Sequence, residues 1–472
     1  MDRMGPDISR VHFVGVGGTA MAAVAVALQQ RGFQVTGSDE QVYPPMSTFL
    51  AEHGIAVRTG YAEENLEPAP DLAVIGNAIS RGNPEAEAIL ERKLRYCSLP
   101  ELLREFFLRG RRSLVVAGTH GKTTTTALLA WIFERSGRNP GFLVGGLPAN
   151  FGAGARFTDS EWFIIEGDEY DTAFFDKRSK FVHYLPEVVI VNNLEFDHAD
   201  IFENLAAIQL SFRRLINLVP RNGLLLANGD DPNLAPLLQI RHCPVRRFGL
   251  GPDNEARAVR LECAGGGAAF EYEGQRFRVP LAGEFNVRNA LAAAACARHC
   301  GLSPAEIQAA FDTFRGVKRR MEIRGEAGGI TVVDDFGHHP TAIRETIRAL
   351  RLRFPGRRLW AVFEPRTNTT RRNVFQRELA DALALADAIA IAEVARLDQL
   401  DPAVRLDPGR LMSDLQAAGR PAAYLPSVES IVDHVSRHAR PGDVVCVFSN
   451  GGFGGIHDRL LARLRPQEQR HP

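Results

Sequence analysis

Residues 115–126 read VVAGTHGKTTTT, which nearly spells a phosphate-binding loop. The usual pattern is G-x-x-x-x-G-K-[ST]. Gly121, Lys122 and Thr123 supply its ending, but the upstream glycine, Gly118, stands three residues before Gly121 rather than five. The flanks decide between a shortened phosphate cradle and a glycine turn with a solvated lysine. An apolar strand over Ser113–Ala117 enters the loop, and from about Thr123 a helix carries Leu128, Leu129, Ile132 and Phe133. Strand, glycine loop, Lys-Thr and helix stand in the order that a phosphate site requires. In such a site Lys122 neutralises β- and γ-phosphate oxygens and Thr123 offers its hydroxyl to Mg²⁺. The N–H groups of Gly118, Thr119, His120, Gly121, Lys122, Thr123 and Thr124 form the cradle.

Upstream, RVHFVGVGGTAMAAVAVALQQRGFQVTGSD (residues 10–39) is a second strand–glycine–helix unit. Gly15, Gly17 and Ala20 occupy the G-x-G-x-x-A places and Asp39 closes the next strand. The glycines let a pyrophosphate approach N–H groups at a helix N-terminus. The motif alone suits NAD or another diphosphate nucleotide. Downstream, the apolar strands in EWFIIEGDE and EVVIVNNLEFDH run into Glu166 and His198. Ligands of open α/β sheets lie beyond the carboxyl ends of strands, so both residues are candidates to face the loop. EGDEYD places four carboxylates in six residues, a density that calls for compensating cations. Taken singly, Glu166 also reads as a surface acid and His198 as a satisfied loop histidine.

Short antiparallel strands are expected over residues 259–280, and a third α/β unit begins near Met321 with Asp334, Asp335, His338 and His339 in its first turn. The restarts predict an α/β chain of three domains. These are a Rossmann-like N-terminal domain (1–110), a central P-loop ATPase-type domain (111–318) and a Rossmann-like C-terminal domain (319–472).

Composition narrows the function classes. Of the 472 residues, 45% are hydrophobic and 24% charged, and formal net charge is zero, which argues against a general affinity for nucleic acid or anionic membrane. Six cysteines without a C-x-x-C pair suggest neither a disulfide framework nor a zinc site. The opening MDRMGPDISR lacks the apolar core of a signal peptide and no apolar run reaches membrane-span length, so a cytoplasmic location is expected. Nothing in the sequence points to an obligate protein partner.

Five strings in order, GTHGKTTT, NNLEFDH, GEFNVRNALAA, VKRRME and DDFGHHPTAI, resemble the Mur ligases over essentially the whole chain. These ATP-dependent enzymes join amino acids or peptides to UDP-N-acetylmuramic acid, and their loop has the short G-x-x-G-K-T form. Further strings, SDEQVYPPMSTFL, GNAISRGNPE, EYDTAFFDKRSKFVHY, EPRTNT and FSNGGFGGIH, are similar to one branch of the family. That branch couples the recycled tripeptide L-alanyl-γ-D-glutamyl-meso-diaminopimelate to UDP-N-acetylmuramate. The alanine-adding branch is the nearer rival. A non-catalytic nucleotide-binding module, resting on the first glycine turn alone, is the rival of another class.

The resemblance implies roles. The first domain holds a UDP-sugar rather than NAD, through Gly17, Gly18, Ser38 and Asp39. Gly118 to Thr124 hold ATP, with Asn286 and Asn289 near the adenine. Thr123 and Glu166 ligate one Mg²⁺ and His198 a second. Arg320 and Asp335 reach the nucleotide from the C-terminal domain, where Arg366 and Asn368 are candidates for gripping the peptide. Lys122, His198, Arg320 and Asp335 form the catalytic set. Phe285 stands where many relatives have histidine, and no lysine lies between Lys180 and Lys318 to serve as the carbamoylated lysine of some relatives. The implied reaction phosphorylates the lactyl carboxylate, and the peptide amine then displaces phosphate.

Overall fold

The computed structural model describes residues 8–465, so most of the N-terminal stretch read for a leader lies outside it. Its contacts group into two compact units. One comprises Met1–Leu194, Ala206–Glu255 and Ala292–Ile307, the other Glu195–Leu205, Ala256–Leu291 and Gln308–Pro472.

The first unit holds two α/β sheets. In the first, β1 (Arg10–Val14), β2 (Gln34–Asp39), β3 (Ala56–Thr59), β4 (Leu72–Ile75) and β5 (Tyr96–Ser98) pair in the order β3-β2-β1-β4-β5, all parallel. Helix α1 (Thr19–Gln30) follows the glycine turn and buries Ala22, Val24, Ala25, Val26 and Ala27. Small side chains suit a helix lying close to a sheet.

The second sheet is built from β6 (Arg112–Ala117), β7 (Gly141–Leu143), β8 (Ala155–Arg156) and β9 (Trp162–Glu166), then, beyond the hairpin β10 (Asp171–Ala173) and β11 (Asp176–Ser179), from β12 (Pro186–Val191), β13 (Leu224–Asn228) and β14 (Val245–Gly249). Within this unit its order is β14-β13-β12-β6-β9-β7-β8. The central strands are near-continuous runs of buried Val, Leu and Ile, as expected where helices cover both faces. After β6 the chain builds β7 and β9 on one side and then β12 on the other. The loop after β6 thus lies at a topological switch point, where such sheets bind ligands. Register aligns Val116 with Glu166 and Ala117 with Val191, which brings three strand ends to one edge.

The tip of the β10–β11 hairpin, Phe174 and Phe175, packs on the first sheet. Both join the apolar cluster of Val14, Ile75, Ile79 and Leu94, and Phe175 meets Tyr96 edge-on at 5.0 Å between ring centroids.

The second unit contains the two-residue β15 (Ala256–Arg257) and a small antiparallel sheet of β16 (Val259–Ala264), β17 (Gly267–Tyr272) and β18 (Gln275–Val279). Its main sheet has β19 (Glu322–Ala327), β20 (Ile330–Asp335), β21 (Leu359–Phe363), β22 (Ala388–Ile391), β23 (Ala422–Tyr424) and β24 (Val444–Phe448) in the order β19-β20-β24-β21-β22-β23. Only β19 is antiparallel, and two apolar clusters fill this unit. Among the described residues no helix is long and apolar enough to cross a membrane.

Candidate active site

Gly118 begins the loop with φ +134°, and a Cβ there would lie 3.0 Å from both the amide nitrogen and the carbonyl oxygen of Asn193. Only glycine lets the loop run this close to the end of β12. Asn193 then ties the loop down: its carbonyl accepts from Thr119 N at 3.0 Å and its Oδ1 from His120 N at 2.7 Å. These two N–H groups were expected in the phosphate cradle. They are instead directed at Asn193, and the donors left to face an anion begin at the helix itself. Helix α2 (Lys122–Arg135) opens on Gly121 at φ +78°, with no side-chain cap. Its positive dipole end therefore receives no protein anion through capping.

Lys122 Nζ lies 2.6 Å from Gly118 O and 2.8 and 2.7 Å from the two oxygens of Glu169. Burial opposes its charge, but Glu169, with Glu166 and Asp168 behind it, holds its pKa above the ordinary lysine value. Asp168 in turn binds Lys180 at 2.6 Å. With Lys177 at 2.5 Å from Asp171, the acidic run has three cations, as its density required.

Thr123 Oγ1 donates to Glu166 Oε1 at 3.0 Å, and Gly145 N donates to Oε2 at 2.7 Å. A hydroxyl and a carboxylate beside a helix N-terminus make a hard-oxygen donor pair, the kind Mg²⁺ takes together with phosphate oxygens. The pair fits that ion by its donor chemistry.

In the first sheet, Asp39 Oδ2 accepts from Gly17 N at 2.8 Å and so braces the glycine turn. Ser38 meets the turn through its carbonyl, which accepts from Gly15 N and Val16 N. Its hydroxyl, expected at the ligand, is buried and donates to Glu85 at 2.5 Å. Glu85 also meets His12 at 3.2 Å and Asn65 at 2.6 Å, forming a buried hub behind β1 and β2. Gly18 caps α1 without a side chain. Tyr61 and Ile79 flank Gly15, and burial, with Asp39 adding, pushes the Tyr61 hydroxyl up to about 12, so it stays a donor.

His198 belongs to the second unit, on the segment Glu195–Leu205. Its φ is +56°, a left-handed conformation that costs a non-glycine residue about 1 kcal/mol or more. Hydrogen bonds hold it there. Asp197 Oδ1 accepts from His198 N at 2.7 Å and from Thr369 Oγ1 at 2.8 Å, while Ala199 N donates to Thr369 Oγ1 at 3.3 Å. Burial works against the Asp197 charge, but His338 at 3.5 Å and the neighbouring histidines hold its pKa well below the ordinary value. Asn368 joins the same segment by donating to Asp200 at 2.7 Å.

Asp335 was expected to reach the nucleotide. It is buried, and its oxygens accept from Met321 N and Gly337 N, both at 2.8 Å. Burial raises its pKa. It holds the strained turn of Arg319 (φ +61°) and Met321 (φ +48°), and between them Arg320 places its guanidinium 4.9 Å from the Phe336 ring centroid. Arg366 meets Glu364 at 3.3 Å and lies against Gly451, while Arg319 donates to Ser449 O and Gly451 O at 2.6 and 2.8 Å. Asn286 and Asn289 are buried and joined side chain to side chain at 3.2 Å. Phe285 packs on the core of the main sheet of this unit.

The structure thus brings Lys122, Thr123 and Glu166 together, places the first glycine turn in the same unit, and in the other ties Asn368 to Asp200 on the His198 segment and Asp335 to the backbone beside Arg320. Sequence reasoning missed Asn193, Glu169, Glu85 and Tyr61. The adjacent asparagines at the end of β12 and the acidic run were the signals available for the first two.

A lysine–threonine loop at a switch point, an acid beside its threonine and a second glycine turn in the same unit define a phosphate-loop nucleotide enzyme. Three family models match in succession: Mur ligase family, catalytic domain (residues 10–111), Mur ligase middle domain (116–297) and Mur ligase, glutamate ligase domain (319–451). The chain belongs to the Mur ligase family, whose three-domain α/β fold and ATP-dependent amide-forming chemistry it shares. It is 44% identical to the UDP-N-acetylmuramate–L-alanyl-γ-D-glutamyl-meso-2,6-diaminoheptandioate ligase of Escherichia coli, over 96% of this chain and 98% of that protein. It is 33% identical to a UDP-N-acetylmuramate–L-alanine ligase of Paraburkholderia phytofirmans, over 97% and 99%. A solved murein peptide ligase from Psychrobacter arcticus matches 97% of this chain and 99% of its own at TM-score 0.71 and 37% identity.

Proposed function

We propose that this chain joins L-alanyl-γ-D-glutamyl-meso-diaminopimelate to UDP-N-acetylmuramate at the expense of ATP, in peptidoglycan recycling. The observation that carries the choice of peptide over alanine is full-length similarity to a tripeptide ligase at 44%, against 33% for an alanine ligase. The site supports the chemistry. Carboxylate is a poor electrophile, and activating it means bringing it to a triphosphate, one anion to another. Lys122 and the open end of α2 supply positive charge for that encounter. Thr123 and Glu166 would hold Mg²⁺, which when bound would offset further negative charge on the phosphates.

Lys122 and the N-terminal N–H groups of α2 orient the γ-phosphate toward the lactyl carboxylate. A carboxylate oxygen attacks phosphorus and ADP leaves. The alanyl amine, deprotonated, then attacks the acyl carbon and inorganic phosphate departs. Gly17, Gly18 and the Asp39-braced turn carry the sugar nucleotide, with Ser38 and Glu85 behind them. Arg320, set by Asp335, serves the nucleotide, as do Asn286 and Asn289. His198, held in its strained conformation by Asp197 and Thr369, would hold a second Mg²⁺. Arg366 and Asn368 face the peptide, and Asn450 in the neighbouring loop has a buried Oδ1 without a partner. A polar ligand group at these strand ends would satisfy it. Domain boundaries of 1–110, 111–318 and 319–472 and a cytoplasmic location belong to the same reading.

The chemistry is tested with UDP-N-acetylmuramate carrying ¹⁸O in its lactyl carboxylate. Mass spectrometry should find one labelled oxygen per released phosphate. Unlabelled phosphate accompanying ligated product would exclude phosphoryl activation of that carboxylate.

A further inference from the structure

Lys122 is held by an anion that the reaction as described does not use. An ammonium group has three donors. Here Gly118 O at 2.6 Å and the two oxygens of Glu169 at 2.8 and 2.7 Å are the short contacts, with Thr119 O farther off at 3.4 Å. The Glu169 side chain is only 3% exposed, so the pair is shielded from water and does not dissolve into solvent as a surface ion pair would. A phosphate that draws closely on Lys122 competes with Glu169 for these donors. The two cannot share the ammonium closely, because a carboxylate beside a triphosphate is a like-charge contact.

Glu169 also lies on a path between the two glycine turns. Two residues on, β10 begins, and the tip of its hairpin is Phe174–Phe175. That tip shares an apolar cluster with Tyr61 and Ile79. Those two side chains stand over the first glycine turn: a Cβ on Gly15 would meet Ile79 Cδ1 at 3.4 Å and Tyr61 Oη at 3.8 Å. A ligand seated at Gly15–Gly18 therefore lies beside side chains of the same apolar cluster that the hairpin tip joins, and the hairpin's other end is the segment carrying Glu169.

We propose that Glu169 is a positioning residue, an exchangeable counterion that occupies Lys122 until nucleotide arrives, and that the β10–β11 hairpin links its release to occupancy of the first glycine turn. ATP is then held weakly until the sugar nucleotide is in place, which limits hydrolysis without a carboxylate to receive the phosphoryl group. The linkage rests on the reading of the first domain as the UDP-sugar site, whereas the counterion role does not.

The test is calorimetric titration of the magnesium complex of AMP-PNP, a non-hydrolysable ATP analogue, into the wild-type chain and Glu169→Gln, each with and without UDP-N-acetylmuramate. The variant should bind AMP-PNP about tenfold more tightly than wild type without the sugar nucleotide, because a competing buried anion is gone. The sugar nucleotide should tighten AMP-PNP about tenfold in wild type and less than about twofold in the variant. Equal or weaker AMP-PNP binding by the variant, with UDP-N-acetylmuramate binding intact, overturns the counterion role. A coupling in the variant equal to that of wild type overturns the linkage. Should the glutamine variant not fold, Glu169→Ala, which also removes the charge, should show the same tightening, and its absence counts against the role equally. If wild type does not bind UDP-N-acetylmuramate, the substrate reading and the linkage fall together. The AMP-PNP comparison made without that ligand still decides the counterion.

Discussion

Lys122→Ala should abolish ligation, lowering turnover by about 10³-fold or more, the scale of losing a charge partner to a phosphoryl group in flight. The same change should also weaken the fold, and the two effects must be separated. Glu169 loses its cation while remaining almost fully buried, and an unpaired buried carboxylate costs about 3 kcal/mol or more. A double variant, Lys122→Ala with Glu169→Gln, removes both charges and should recover most of that stability, since coupled neighbours do not add. It should recover none of the turnover. Thermal melts and single-turnover ligation on the two variants read these quantities independently. Turnover by the double variant within tenfold of wild type would show that Lys122 serves the fold alone.

The second large effect is at Glu166. Glu166→Gln keeps the size of the side chain and leaves an oxygen for Gly145 N or Thr123 Oγ1, so stability should change by no more than about 1 kcal/mol. Turnover should fall about 10²- to 10³-fold, and the magnesium concentration for half-maximal rate should rise. Turnover and magnesium dependence unchanged from wild type would remove Glu166 from the metal site. A neutral substitution of a mere surface acid would move neither quantity.

The parts of this site that could be seen in the sequence are those whose chemistry is local. Gly-Lys-Thr between an apolar strand and a helix fixes loop, cation and hydroxyl within six residues. Alternation of apolar strands with helices gave three α/β sheets, and the order of five strings gave the family. What was not visible depends on strand order. Asn193 reaches a loop more than seventy positions earlier, and Glu169 meets Lys122 across 47, only because β12, β6 and β9 lie side by side. Ser38 and Asp335 show a different limit. Both sit at the expected strand ends, but whether a polar side chain faces ligand or supports a turn depends on what packs behind it, Glu85 in one case and the strained 319–321 backbone in the other. His198 shows a third. It follows a strand of the first unit yet is grouped with the second, where Thr369 anchors its neighbour Asp197, and no single cut along the chain expresses that.

The most direct measurement is phosphate release from ATP and Mg²⁺ with UDP-N-acetylmuramate, comparing L-alanyl-γ-D-glutamyl-meso-diaminopimelate with L-alanine as the amine. Strong stimulation by the tripeptide and little by alanine is expected of a recycling ligase. Preference for alanine would contradict it and assign the chain to the biosynthetic step.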